Sequence, residues 1–138
     1  MGAVGENLFP ILLREAPMSA PVWIGVAIVG SLGSIARFLL DGAVSSRTSS
    51  SFPLGTLAVN ASGAFVLGLF AGLALSGEAF LLAGSATIGS YTTFSTWMLE
   101  THRLGEDGQF LRGLANVLVS VTFGIGAAAL GRTLGGAL

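Results

Sequence analysis

The chain has 138 residues, of which 52% are hydrophobic and 9% charged, with a formal net charge of −1 and a mean hydropathy of +0.82. Soluble domains carry about a quarter charged residues, so this composition excludes an ordinary water-soluble fold, and the lack of lysine and of any basic run argues against a nucleic-acid partner. Cysteine is absent too, which excludes disulfides and thiolate metal sites.

Residues 1–19 lack the basic start of a signal peptide and are broken by Pro10 and Pro17. A leader that is a short helix or disordered is expected there, followed by one transmembrane domain over residues 20–138. Four apolar runs fall within it: Pro21 to Leu40, Leu54 to Leu75, Phe80 to Met98 and Phe110 to Gly131. Each is close to the roughly 20 residues that an α-helix needs to cross a hydrocarbon core about 30 Å thick. None shows the period-two alternation of a membrane barrel. The fold class is therefore an all-α integral membrane protein of four transmembrane helices.

In the first helix, Pro21 suits the opening turn with Ser19 as its cap, and the end is expected near Asp41-Gly42. Arg37 lies near that end. It is either snorkelling to the interface or facing a polar interior, since an ionisable group in lipid is expensive. AVSSRTSSSFP then reads as a loop. One turn into the second helix stands Asn60, whose amide needs partners and offers two donors to an anion or a carbonyl. Gly30 with Ser34, and Gly68 with Gly72, have the small-xxx-small spacing that lets helix backbones approach. The link Leu75-Ser76-Gly77-Glu78 is so short that the second and third helices are antiparallel neighbours.

The third helix contains IGSYTTFSTWMLE, Ile88 to Glu100. So dense a run of Gly, Ser and Thr at mid-membrane predicts a local break, whose freed carbonyls and amides need protein, water or an ion. Carbonyls facing one another across a dimer axis can hold a small cation. Phe94 and Trp97, three apart, share a face; their electropositive ring edges suit an anion, although by spacing alone core packing is the better account. THRLGEDGQ is a charged aqueous turn before the fourth helix. Arg14 and Arg132 fall on the side of the termini, with Arg47, Arg103 and Arg112 opposite. That near balance permits insertion in either sense, and hence an antiparallel pair.

These residues together resemble the CrcB or Fluc family of fluoride channels. GSLGSIARF (Gly30 to Phe38), PLGTLAVNASGAFVLG (Pro53 to Gly68), GSYTTFSTW (Gly89 to Trp97) and the set Asn116, Ser120, Gly124 match the family's four helical patterns in order. The resemblance implies a dual-topology antiparallel homodimer in the cell inner (plasma) membrane, with the third helix of each chain broken, that passively exports fluoride. By the family pattern, Phe94 and Trp97 form an aromatic box along the pore and Asn60 contacts the ion. Ser95, Thr96 and Ser120 supply hydroxyl donors, Arg37 sits near a vestibule, and the carbonyls of Gly89 and Thr92 hold a structural sodium ion at the dimer centre. Some relatives pair with a homologous subunit, so a partner chain is a further expectation. Three departures stand out: Ser90 for a glycine, Ser34 for an alanine, and Trp97 for a second Phe, an indole that narrows the path while its N–H offers a donor.

A four-helix proton-coupled exporter is the nearest alternative, but it requires a carboxylate inside the first helix, and Asp41 lies at the helix end. A non-conducting subunit of a heteromeric fluoride channel is another. An enzyme is not expected: His102 stands alone, and Glu100 with His102 at i, i+2 point to different sides of a helix, with Glu100 on a solvated rim.

Overall fold

The computed structural model describes residues 19–48 and 50–138, all helix and connecting turn; the expected leader and Arg14 lie outside the described residues. Helix α1 spans Ala20–Ser45, α2 Leu54–Gly72 and α6 Phe110–Ala137. These three are long and apolar enough to cross a membrane. Between α2 and α6 comes a composite element: α3 (Gly77–Phe80), a π-helical stretch (Leu81–Ile88), α4 (Gly89–Tyr91) and α5 (Phe94–Glu106). The arrangement is that of a multi-pass membrane protein.

Pro21 stands in the first turn of α1, as its missing N–H allows. Ser19 occupies the cap position, but its hydroxyl makes no capping bond; its carbonyl instead accepts from the Val22 and Trp23 amides at 3.0 and 3.3 Å. The helix continues to Ser45, past the expected stop at Asp41-Gly42. The residues that follow satisfy its last carbonyls: Arg47 Nη1 and Ser46 Oγ donate to the Ala43 carbonyl at 3.0 and 3.2 Å, and Thr48 Oγ1 to that of Val44 at 3.0 Å. Side chains written as loop thus extend the helix.

The closest packing joins α2 to α6. A Cβ added at Gly68 or Gly72 would strike the carbonyls of Ala128 or Arg132, and one at Gly131 or Gly135 those of Phe65 or Leu69. The expected Gly68/Gly72 face therefore meets a matching pair on α6, and backbones touch where side chains would hold them apart. On α1 the contact falls on Gly33 rather than Gly30: a Cβ at Gly33 would meet Ser90 Oγ and the Thr87 carbonyl (2.5 Å), whereas one at Gly30 has ordinary room.

Helix α2 closes in a Schellman turn, with the Leu75 amide on the Phe70 carbonyl (3.2 Å) and the Ala74 amide on that of Ala71 (3.3 Å). The left-handed residue of that turn is Ala74, at φ 54°. Arg112 on α6 reaches Ser51 Oγ in the α1–α2 loop, so that loop and the α5–α6 turn lie at one end of the bundle. Among the described residues the largest fully buried side chains are Val59, Thr56 and Asn116, while large apolar groups such as Ile28, Phe38, Leu118 and Ile125 stand exposed on α1 and α6. Outward apolar faces around a small inner core suit a lipid or protein environment.

Candidate functional site

The site is built where the composite element loses its helix. Gly89 to Tyr91 are helical, Thr92 is extended (φ −75°, ψ 160°), Thr93 likewise (φ −144°, ψ 123°), and helix resumes at Phe94. Upstream, Thr87 Oγ1 donates to the Leu82 carbonyl five residues back at 2.7 Å, in keeping with the wider π-helical register. Such stretches mark strained or functional helices. Hydropathy carries no trace of it.

An interruption frees backbone groups, and each of the principal ones has found a named partner or a named vacancy of donors. Asn60 on α2 grips Thr93 as a second peptide would: its Nδ2 donates to the Thr93 carbonyl and its Oδ1 accepts from the Thr93 amide, both at 2.9 Å. Thr93 then caps α5, its Oγ1 accepting from the Thr96 amide at 3.3 Å and donating to Thr96 Oγ1 at 3.0 Å. In a continuous helix the Thr93 amide would bond the Gly89 carbonyl, and the Thr96 amide that of Thr92. Both amides go elsewhere, so the carbonyls of Gly89 and Thr92 have lost their helical donors.

Tyr91 fixes the upstream half by a 2.8 Å hydrogen bond to Ser62 Oγ. Thr92 presses its methyl against Gly63, where a Cβ would collide with it. Ser90, the residue in place of a glycine, stays within the helix: its Oγ donates to the Ala86 carbonyl at 2.8 Å and that of Thr87 at 2.9 Å, and it faces the bare side of Gly33.

Phe94 and Trp97 meet edge-on, with ring centroids 5.7 Å apart and planes at 74°. Phe94 is 70% exposed. The Trp97 N–H is directed to the Asn116 carbonyl at 3.4 Å, so the donor that the indole adds is taken up within the chain. An open groove of ≈ 480 Å³ runs beside the interruption, lined by Asn60, Gly63, Gly89, Thr92, Phe94 and Trp97 among others. Ser95 and Thr96 stand in the first turn of α5 next to it, Ser95 exposed and Thr96 half-buried. Ser120 is on α6, its hydroxyl 3.3 Å from Asn116 Oδ1. Arg37 lies apart on α1 and does not line the groove.

Sequence reasoning passed over a second polar feature. A chamber of ≈ 250 Å³ at the bundle end that holds the α1–α2 loop is lined by Ser45, Thr48, Glu100, Arg103 and Asp107. Glu100 is half-buried there rather than on a solvated rim, its Oε2 turned away from solvent, as is Thr56 Oγ1. No group of three or more His, Cys, Asp or Glu able to hold a metal occurs among the described residues, so main-chain and hydroxyl oxygens are the available cation donors at the interruption.

Comparison with known proteins agrees with this architecture. The family model described as "CrcB-like protein, Camphor Resistance (CrcB)" matches residues 24–132. The chain is 61% identical over 113 residues to "Fluoride-specific ion channel FluC 2" of Mycolicibacterium paratuberculosis, covering 82% of this chain and 93% of that protein. It is 55% identical over 121 residues to the protein of the same name from Mycobacterium tuberculosis, covering 88% and 96%. The "Fluoride-specific ion channel FluC" of Geobacter sulfurreducens is 44% identical over 103 residues, covering 71% and 83%.

Proposed function

Because this chain belongs to the CrcB-like family, we propose that it is a fluoride-selective channel of the cell inner membrane, passively exporting fluoride as an antiparallel dual-topology homodimer. It is not an enzyme. The observation that carries the reading is the interruption at Thr92 and Thr93, held open by Asn60 beside an edge-on aromatic pair.

Fluoride is compact and tightly hydrated, and a selective path must replace its water with donors that still let it go. This chain offers such donors without a buried cation. Asn60 uses one N–H on Thr93 and keeps a second for the ion. Thr96 Oγ1 accepts from Thr93, so its own proton is free, and Ser95 is exposed beside it. Phe94 and Trp97 contribute ring edges, with the indole anchored on α6 rather than swinging into the path. Ser120 adds a hydroxyl from α6, and Arg37 acts at a distance, as a vestibule charge.

A second copy completes the site. Phe94, Ser95 and Gly89 are exposed in the single chain, and a groove open on one side encloses no ion. The two carbonyls deprived of helical donors, Gly89 and Thr92, suit a hard cation that prefers oxygen. They would hold a sodium ion shared between the copies, which supplies positive charge at the centre of the dimer. On this reading the third helix breaks at mid-membrane.

The test is fluoride efflux from liposomes that contain only this chain, with chloride as the control. Fluoride efflux without chloride efflux is expected. Equal passage of chloride overturns the reading, and an intact dimer that passes nothing points to a paired homologous subunit.

A further inference from the structure

Two side chains of α2 take hold of the interruption, one on each side of Thr92. Downstream, Asn60 bonds both main-chain groups of Thr93 at 2.9 Å. Upstream, Ser62 Oγ lies 2.8 Å from the Tyr91 phenol oxygen. A hydroxyl has one proton to give, and Ser62 turns its own back to the Ala58 carbonyl at 2.7 Å, as helical hydroxyls commonly do. Ser62 is therefore the acceptor, and the phenol donates.

The surroundings keep that bond in place. A groove of ≈ 320 Å³ beside it is lined by Leu32, Ala36, Val66 and Ile88 together with Ser62 and Tyr91, and in a membrane no water stands ready to replace a lost partner there. The ring is seated as well: a Cβ at Gly63 would lie 3.2 and 3.5 Å from Cδ1 and Cε1 of Tyr91, so the phenol rests on a bare stretch of α2. Tyr91 is the last helical residue before the chain turns extended at Thr92. Helix ends fray, and the turn that would fray here contains Gly89 and leads directly into Thr92, the two residues whose carbonyls lack helical donors.

We propose that Tyr91 and Ser62 are positioning residues for the cation: the phenol's hold on α2 keeps the last helical turn from fraying, so that the Gly89 and Thr92 carbonyls stay where one sodium ion can take both. The proposal rests on the sodium site of the channel reading. The part played by the pair is indirect, like that of an outer partner that orients a metal ligand, whose loss costs about 10–100-fold in metal affinity. Asn60 steadies the other side of Thr92, but it also faces the groove, so its removal confounds cation and anion. Neither Tyr91 nor Ser62 lines that groove. They separate the two ions.

The full chain is to be melted at increasing sodium, with potassium holding the ionic strength constant. An ion that binds the folded state raises the melting temperature by mass action, and the sodium concentration at half that gain should rise about ten-fold in Tyr91→Phe and in Ser62→Ala. The double variant should shift it no further than either single one, because the same bond is lost in each. A melting temperature lowered equally at every sodium concentration, with the midpoint unmoved, makes the bond a plain fold contact and overturns the proposal. Fluoride efflux from liposomes should split in the same way: half-maximal sodium rises while the plateau rate at saturating sodium holds, and a depressed plateau overturns it. Tyr91 is the one tyrosine of the chain, so its resonance Raman doublet reads the phenol directly. The doublet should change in Ser62→Ala, and an unchanged one overturns the assignment of the donor. If Tyr91→Phe does not assemble, Ser62→Ala carries the sodium comparison alone. A wild-type chain that conducts fluoride yet melts alike in sodium and potassium sinks the cation reading and this proposal with it. A sodium-responsive wild type whose midpoint Tyr91→Phe leaves unmoved sinks this proposal only.

Discussion

Where α2 meets α6, glycines bring two unbroken helices into backbone contact; in the third element, a comparable supply of small residues accompanies a helix that widens, stops and restarts. The difference lies in what the small residue carries. Along the seam both helices run without interruption, so the useful property is the absence of a side chain. At Thr92 and Thr93 backbone groups are released, and hydroxyls and an amide that can both donate and accept take the place of the missing helical bonds. Glycine makes the scaffold rigid, and Ser, Thr and Asn make the gap habitable. The scaffold can therefore hold still a segment that, by itself, has no reason to keep one geometry.

The contrast breaks most visibly at the seam. Gly131→Leu would drive a side chain into the Phe65 carbonyl and the Leu69 amide, backbone atoms that cannot step aside. Overpacking of this kind costs about 1–3 kcal/mol or more, and the expected result is loss of the folded protein in gel filtration. Phe94→Ile should act in the opposite way. With its ring 70% exposed in the single chain, little packing is lost and the melting temperature should hardly move, yet fluoride efflux should disappear. Efflux that survives would return Phe94 to a packing role. Asn60→Leu falls between the two. It strips the Thr93 amide and carbonyl of their partners, at about 1–3 kcal/mol for each buried group left unsatisfied, so both stability and efflux should drop, the latter by about a hundred-fold.

Much of this was legible in the sequence for reasons that are local. Hydropathy alone located the three long helices α1, α2 and α6, because a helix in lipid must be apolar for its whole length. The interruption was legible because Ser90 to Thr96 crowd polar side chains into a segment that lipid would not tolerate. What depended on distant partners was not. Asn60 reads as an ion-facing amide, but its first partner is Thr93, 33 residues away, and no local pattern announces that pairing. The extension of α1 to Ser45 comes from Arg47, Ser46 and Thr48 folding back onto carbonyls, which a serine-rich loop does not reveal. The π-helical stretch packs against α1, where Gly33 admits the Thr87 carbonyl, a contact that no local pattern reveals. Glu100 looks like a rim residue because charge near a helix end usually is; its Oε2 is instead turned away from solvent, in a chamber that it shares with the α1–α2 loop.

The smallest effects should come from two substitutions to glycine that have opposite signs. Ala74 holds φ 54° at the end of α2, a left-handed conformation that costs an L-residue with a Cβ about 1–2 kcal/mol. Ala74→Gly should therefore raise the melting temperature slightly, because the strain vanishes while both bonds of the Schellman turn remain. Ser90→Gly should lower it. The helix around Ser90 needs no unusual dihedral, so glycine brings only its greater freedom in the unfolded chain, a loss of about 0.5–1 kcal/mol, and empties the space beside Gly33 that the hydroxyl fills. Efflux should be unaffected in both, since neither touches Asn60, Thr93 or the aromatic pair. If Ser90→Gly instead changed the rate, the hydroxyl would be part of how the interruption is held, and the division between a rigid scaffold and a polar gap would have to be redrawn one turn further upstream.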